Sequence, residues 1–153
     1  MIKILFICHG NICRSPMAEF ILKDMVRKRG LTDQFHIESA ATSTEEIWNG
    51  IGNPVYPPAR EVLLAHGIDC EEKRARQITA HDYEAFDLLI AMDENNLRDM
   101  ARVWPEDPEG KIQKMLAYAG EDRDVADPWY TGDFSKTWDD IYHGCEGLLA
   151  TIA

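Results

Sequence analysis

Positive charge is scarce in this chain: 16 lysines and arginines stand against 27 aspartates and glutamates, a formal net charge of −11 at pH 7. Such a surface repels polyanions, so nucleic acid and anionic membranes are not expected partners; it also disfavours tight self-association, which leaves a monomer as the expectation. Long apolar runs are missing as well. None approaches the roughly 20 residues that a membrane-spanning helix needs. The opening Met1-Ile2-Lys3, followed by a short apolar run and a polar loop, lacks the pattern of a secretory signal, and a cytoplasmic location is the expectation that follows. Cysteine is sparse. Cys8, Cys13, Cys70 and Cys145 show no Cys-x-x-Cys spacing and no neighbouring histidine pair, which argues against zinc, and reduced thiols suit the cytoplasm. Internal repeats, low-complexity tracts and Gly/Ser linkers are absent too. The 153 residues, 45% of them hydrophobic, are therefore expected to form one domain over 1–153, large enough to bury a core without disulfides or metal.

What the chain does have is concentrated between Ile4 and Ala18, which read I-L-F-I-C-H-G-N-I-C-R-S-P-M-A. The nearly unbroken apolar run Ile2 to Ile7 suits a strand buried on both faces of a parallel sheet. Gly10 and Asn11 tolerate positive φ, so the backbone after Cys8 can curl and turn successive N–H groups inward. Ser15 then reads as an N-cap and Pro16 as the first helical residue. Inward N–H groups beside a helix N-terminus make an anion site. The same field stabilises a thiolate at Cys8, and Ser15 is placed to donate a hydrogen bond to it. Arg14, six residues after Cys8, can fold back over the cavity and hold two oxygens of a tetrahedral oxyanion in its planar fork.

The remainder reads as alternating strands and helices, hence an α/β fold built on a parallel sheet. The expected elements are a helix from Ser15 to about Arg29, a strand near Phe35 to Ser39, a long loop from Ala41 to Pro58, and a helix from about Pro58 to Ala65. Thr79 with Asp82 opens a short helix, Phe86 to Met92 is the third strand, and Asp93 to Val103 is a helix stopped by Trp104-Pro105. Lys111 to Ala117 fits either a last strand or a helix. Phe134 to Ile152 is the clearest helix, with Asp133 at its start and Trp138, Ile141, Cys145 and Leu148 on one face. Ligands in such folds sit at the carboxyl ends of strands, where Cys8 is. A leaving alkoxide or phenoxide needs a proton, and Asp127 in V-A-D-P-W-Y is the best-placed acid, on a loop stiffened by Pro128 with Trp129 and Tyr130 beside it.

The string C-H-G-N-I-C-R-S-P between strand and helix resembles the signature C-x-G-N-x-C-R-S of the low-molecular-weight protein tyrosine phosphatases. The likeness continues through S-A-A-T-S-T at Ser39 to Thr44, R-A-R-Q-I-T at Arg74 to Thr79, A-M-D-E-N-N-L at Ala91 to Leu97, and the Asp-Pro with aromatics at Asp127. It implies a three-layer, flavodoxin-like domain with a four-stranded parallel sheet of order 2-1-3-4 and helices on both faces. It further implies cofactor-free hydrolysis of tyrosine-phosphorylated proteins: Cys8 as nucleophile, Arg14 and the loop residues His9, Gly10, Asn11, Ile12 and Cys13 holding the phosphoryl group, and Asp127 as general acid. By the same likeness Ser39 holds Asn11, Asp93 is a structural carboxylate whose alternative role is helix capping, and Trp48, Trp129 and Tyr130 wall the cleft. Cys13 becomes a redox partner that protects Cys8 as a reversible disulfide, which a five-residue separation on a tight loop permits.

This chain departs from that pattern at Lys73, where many members carry a histidine. His66 and His143 read as surface residues, Cys70 and Cys145 as core. Three rival functions share the loop. An arsenate reductase needs further redox cysteines after the third strand, where this chain has Met92. A protein arginine phosphatase tends to carry threonine where this chain has Ile12, which favours tyrosine. An idle anion-binding or redox-sensing module would require the Asp127 loop to be incompetent.

Overall fold

Strand β1, Ile2–Cys8, is the axis of the structure, a computed structural model that describes residues 1–152. From Ile4 to Ile7 it is wholly buried, as its apolar run demands. Alternation sends Ile4, Phe6 and Cys8 to one face of the sheet and Leu5 and Ile7 to the other. Helix α1, Arg14–Lys28, returns the chain to β2, Phe35–Ala41, which pairs with β1 in parallel from Ile2 opposite Phe35 to Cys8 opposite Ala41. Two residues each of β3 (Ile47–Trp48) and β4 (Ile51–Gly52) form a small antiparallel hairpin. The helices α2 (Pro57–Ala65) and α3 (Asp82–Ala85) then lead to β5, Leu88–Ala91, on the opposite edge of β1. After α4, Glu94–Val103, the strand β6, Ile112–Lys114, completes a parallel sheet of order β2-β1-β5-β6. That is the expected 2-1-3-4 of the four main strands. A 3-10 turn over Met115–Ala119, the short α5 (Pro128–Thr131) and the long α6 (Phe134–Ile152) finish the chain.

Each sheet face has its own core. Met17, Ile21 and Leu22 of α1 and Ile141, Cys145, Leu148 and Leu149 of α6 cover Ile4 and Phe6. On the other side Phe86, Met100 and Trp104 cover Leu5, Ile7 and Leu89. Helix α6 lies hard against the Met115–Ala119 turn, because at Gly147 a Cβ would collide with the carbonyl of Tyr118. No helix among the described residues is long and apolar enough to cross a membrane.

Several boundaries differ from the sequence reading for local reasons. Ser15 is not an N-cap: Cys13 holds that position, its carbonyl accepting from Met17 N at 3.0 Å, and the Ser15 hydroxyl is used inside the loop instead. Pro16 still falls in the first turn, where its missing N–H costs no hydrogen bond. The Thr79 and Asp82 roles are reversed, since the Asp82 carboxylate accepts from Thr79 N at 2.8 Å. The long irregular segment contains the β3–β4 hairpin, too short to leave a period-2 pattern in the sequence. The undecided Lys111 to Ala117 segment is strand and then 3-10 turn.

Asp107 fastens the turn before β6, accepting from Tyr83 Oη at 2.6 Å, Lys111 N at 2.8 Å and Ile112 N at 3.0 Å. Partial burial raises the pKa of its carboxyl, but these donors outweigh it and hold the value below the usual carboxylate range. A pKa depressed on folding contributes stability that is complete above the unfolded value, roughly 4, and is lost as pH falls through the lower folded value. Asp107→Asn is therefore expected to lower the melting temperature at pH 7. The gap to wild type should narrow as a thermal-unfolding series is taken to acid pH.

Candidate active site

The loop between β1 and α1 is shaped by where its carbonyls go. The carbonyls of Cys8, His9 and Ile12 accept from Thr42 N at 2.9 Å, Ser43 N at 3.1 Å and Tyr56 N at 2.9 Å, all on segments outside the loop. A trans peptide points its N–H opposite its C=O, so the N–H groups of His9, Gly10 and Cys13 face inward. Asn11 makes the sharp turn at φ 60°. Gly10, expected to share that work, does not have positive φ; its missing side chain instead leaves room for Glu46, whose Cγ would lie 3.3 Å from a Cβ there.

Cys8 stands at the bottom, 3% exposed. Its Sγ accepts from Asn11 N at 3.3 Å and lies 3.0 Å from Ser15 Oγ. Asn11 Nδ2 donates to Ser15 Oγ at 2.8 Å, so the serine's own proton is available to the sulfur, which lies nearer than the alternative acceptor, Ala40 O at 3.5 Å. The chain of contacts continues inward. Asn11 Nδ2 also donates to Ser39 Oγ at 2.9 Å, and Ser39 Oγ donates to the buried Glu19 Oε1 at 2.6 Å. Lys73 closes it, donating to Ser39 O at 2.8 Å with Glu19 Oε1 at 3.4 Å. Burial pushes the Lys73 ammonium pKa down, against the pull of Glu19.

Arg14, 2% exposed, donates through Nη1 to Asp93 Oδ2 at 2.7 Å and to Val125 O at 2.8 Å, and its Nη2 lies 3.4 Å from Asp127 Oδ2. Burial opposes its charge, but Cys8, Asp93 and Asp127 more than offset that and raise its pKa, so the guanidinium stays ionised. Asp93 pairs with Arg14 and also caps α4, accepting from Asn96 N at 2.7 Å. Asp127 caps α5 through Trp129 N at 3.0 Å. Burial, and then the charges of Cys8 and Asp127, push the Cys13 thiol far up, which keeps it protonated. Cys8, His9, Gly10, Ile12, Cys13, Arg14, Asp127, Trp129 and Tyr130 enclose one cavity of about 130 Å³. A cysteine sulfur, inward N–H groups, a fixed guanidinium and a carboxyl facing one anion-sized space suit phosphoryl chemistry.

The family model for low molecular weight phosphotyrosine protein phosphatase matches residues 3–153. The chain belongs to this family. Among its relatives, the low molecular weight protein-tyrosine-phosphatase YfkJ of Bacillus subtilis is 41% identical over 99% of this chain and 96% of its own length. Its crystal structure superposes with a TM-score of 0.93 over 99% of this chain and 94% of that one. The low molecular weight phosphotyrosine protein phosphatase of Gallus gallus is 37% identical, covering 96% and 93% of the two chains. An arginine phosphatase from Drosophila is also similar in structure, with a TM-score of 0.85 and 34% identity over 98% of this chain and 97% of its own.

Within this phosphatase scaffold one expected wall residue is elsewhere. Trp48 is 83% exposed and does not line the cavity. The reason is strand alternation: Ile47 packs towards Ile12, Cys13 and Ala75, so its neighbour Trp48 is turned outward. Two cavity residues escaped the sequence reading, Glu45 and Glu46. Glu45 lies 3.0 Å from His9 Nε2, and Glu46 accepts from Asn53 Nδ2 at 2.8 Å. Their only signal was membership of the irregular segment at the carboxyl end of β2. His66 and His143 are exposed, and Cys70 and Cys145 are buried, as expected.

Proposed function

We propose that residues 1–153 act as one phosphatase domain that hydrolyses phosphotyrosine in proteins through a phosphocysteine intermediate. The observation that carries this is the shared cavity of Cys8, Arg14 and Asp127 beneath Trp129 and Tyr130. The Cys8 thiolate attacks phosphorus in line, breaking the bond to the phenolic oxygen. Arg14 and the loop N–H groups hold the equatorial oxygens as charge shifts onto them. Asp127 gives its proton to the leaving phenoxide, then removes one from the water that attacks phosphocysteine, returning the thiolate and releasing phosphate. The nucleophile, the guanidinium and the acid that these steps call on are all side chains lining the one cavity. The aromatic walls Trp129 and Tyr130 favour an aryl ester.

A second reading, phosphoarginine hydrolysis, is favoured by the acidic wall of Glu45 and Glu46, which suits a guanidinium, and by the likeness to the Drosophila arginine phosphatase. Steady-state turnover of an aryl phosphate and of a phosphoarginine peptide, with EDTA and reductant present, separates the two. Asp127→Asn should cut aryl phosphate turnover by about 10²-fold or more. Better turnover of phosphoarginine would keep the site and replace the substrate.

Four cysteines without the spacing of a disulfide framework support a reducing, cytoplasmic setting, and the net charge of −11 supports a monomer with no affinity for nucleic acid or anionic membranes. Cys13 serves as the redox partner: peroxide oxidises Cys8 to a sulfenic acid, and the Cys13 thiol displaces water to form the disulfide. Thiol reductants should restore peroxide-treated wild type and fail to restore Cys13→Ser; equal recovery would remove Cys13 from that role.

A further inference from the structure

A second depression adjoins the catalytic cavity, and its chemistry is different. It is a groove of about 540 Å³ whose floor includes Pro54, Val55, Pro57 and Leu64, and it shares Ile12, Glu46 and Trp129 with the cavity. Trp129 is the partition between them, its ring 4.8 Å from that of Tyr56. The groove leads away from the phosphoryl site along one face of α2, whose residues Pro57, Arg60, Glu61 and Leu64 repeat at helical spacing.

Arg60 is the unexplained member. Its Nε is buried with no hydrogen-bond partner, and its guanidinium forms no hydrogen bond or ion pair with any side chain among the described residues. That Nε is closed off from the groove, whereas neither terminal nitrogen is both buried and unpartnered, so it is through Nη1 and Nη2 that a ligand in the groove meets the guanidinium. Of the two carboxylates in the groove, Glu46 is engaged by Asn53 and Glu61 is exposed and keeps its water. Neither meets Arg60. Leu64, 47% exposed, leaves apolar surface uncovered at the far end.

We propose that this groove binds the segment of a phosphorylated protein substrate that flanks the phosphotyrosine, taking an apolar side chain on the Val55–Leu64 floor and a carboxylate on Arg60. It rests on the phosphotyrosine reading and names the substrate sequence that reading lacks. A planar guanidinium takes a carboxylate in paired hydrogen bonds, and an apolar surround strengthens them. The enzyme would then select phosphotyrosines next to acidic and apolar residues despite its own acidic surface.

The test uses free phosphotyrosine and two matched pairs of phosphotyrosine peptides, one varied before and one after the phosphotyrosine. Each pair carries either Leu and Glu or Ser and Gln. Wild type should prefer the Leu/Glu member of one pair by about tenfold in kcat/KM. Arg60→Gln should erase the Glu part of that preference and Leu64→Ser the Leu part, with free phosphotyrosine turnover unchanged in both. Leu64 is exposed, so its variant reports even where Arg60→Gln folds poorly. No preference in wild type for either pair, or a preference that survives both substitutions, overturns the proposal while leaving the phosphatase intact. Failure of wild type to hydrolyse free phosphotyrosine would instead overturn the reading beneath it.

Discussion

Cys8→Ser is expected to abolish turnover of aryl phosphates, by on the order of 10⁴-fold or more, while leaving phosphate and substrate analogues bound. The loss is chemical. A serine hydroxyl at this site would have to be deprotonated by a neighbouring base, and Ser15 and Asn11, the groups that touch Sγ, are donors or neutral acceptors that supply none. Binding should survive because it rests on the inward N–H groups and Arg14, which the substitution does not touch. Isothermal titration with a non-hydrolysable aryl phosphonate alongside steady-state kinetics checks both halves. Residual turnover within about tenfold of wild type would remove Cys8 from the nucleophile's role, since a nucleophile of that kind cannot be dispensed with so cheaply.

Arg14→Lys keeps the positive charge and is nevertheless expected to cost roughly 10²- to 10³-fold in kcat/KM. Arginine here is positioned by two acceptors on one nitrogen, Asp93 at 2.7 Å and the Val125 carbonyl at 2.8 Å, which fix the plane of the guanidinium and leave its remaining donors to the cavity. A lysine ammonium is a point charge on a flexible stem; satisfying Asp93 it cannot also span two phosphoryl oxygens. Because the equatorial oxygens gain charge in the transition state, the larger share of the loss should fall on kcat. A rise in KM with kcat unchanged would mean that Arg14 only binds the ground state.

The sequence made the catalytic loop legible because strand, turn and helix start are adjacent there: Cys8, Arg14 and the loop between them could be placed with no knowledge of long-range contacts. Asp127 was reachable for a different reason, since the chemistry demanded an acid and Asp-Pro beside two aromatics marks a stiffened loop. What stayed hidden depends on tertiary contact. Ser15 looks like a cap in isolation; it is drawn inward by Cys8 and Asn11, partners that only the folded loop brings to it. Glu45 and Glu46 belong to a segment whose hairpin is two residues deep, and Trp48 was misjudged because its orientation follows from Ile47 packing beneath the loop. Lys73, a departure from the family pattern, has its place in space: together with Lys23 it faces Glu19, which holds Ser39, which holds Asn11.

The mechanism turns on a covalent phosphocysteine, and that species is directly observable. Wild-type enzyme mixed rapidly with an aryl phosphate should release phenol in a burst that scales with enzyme concentration. Acid quench within the burst should leave one phosphoryl group on the peptide containing Cys8, in the presence of EDTA. Phenol release without a burst would not decide the matter by itself, since the first step can be the slow one; Asp127→Asn, run in parallel with a substrate whose phenol leaves without protonation, slows breakdown and should let the intermediate accumulate. Turnover with no phosphoryl group on Cys8 under either condition would contradict the two-step mechanism and leave direct attack by water on the substrate.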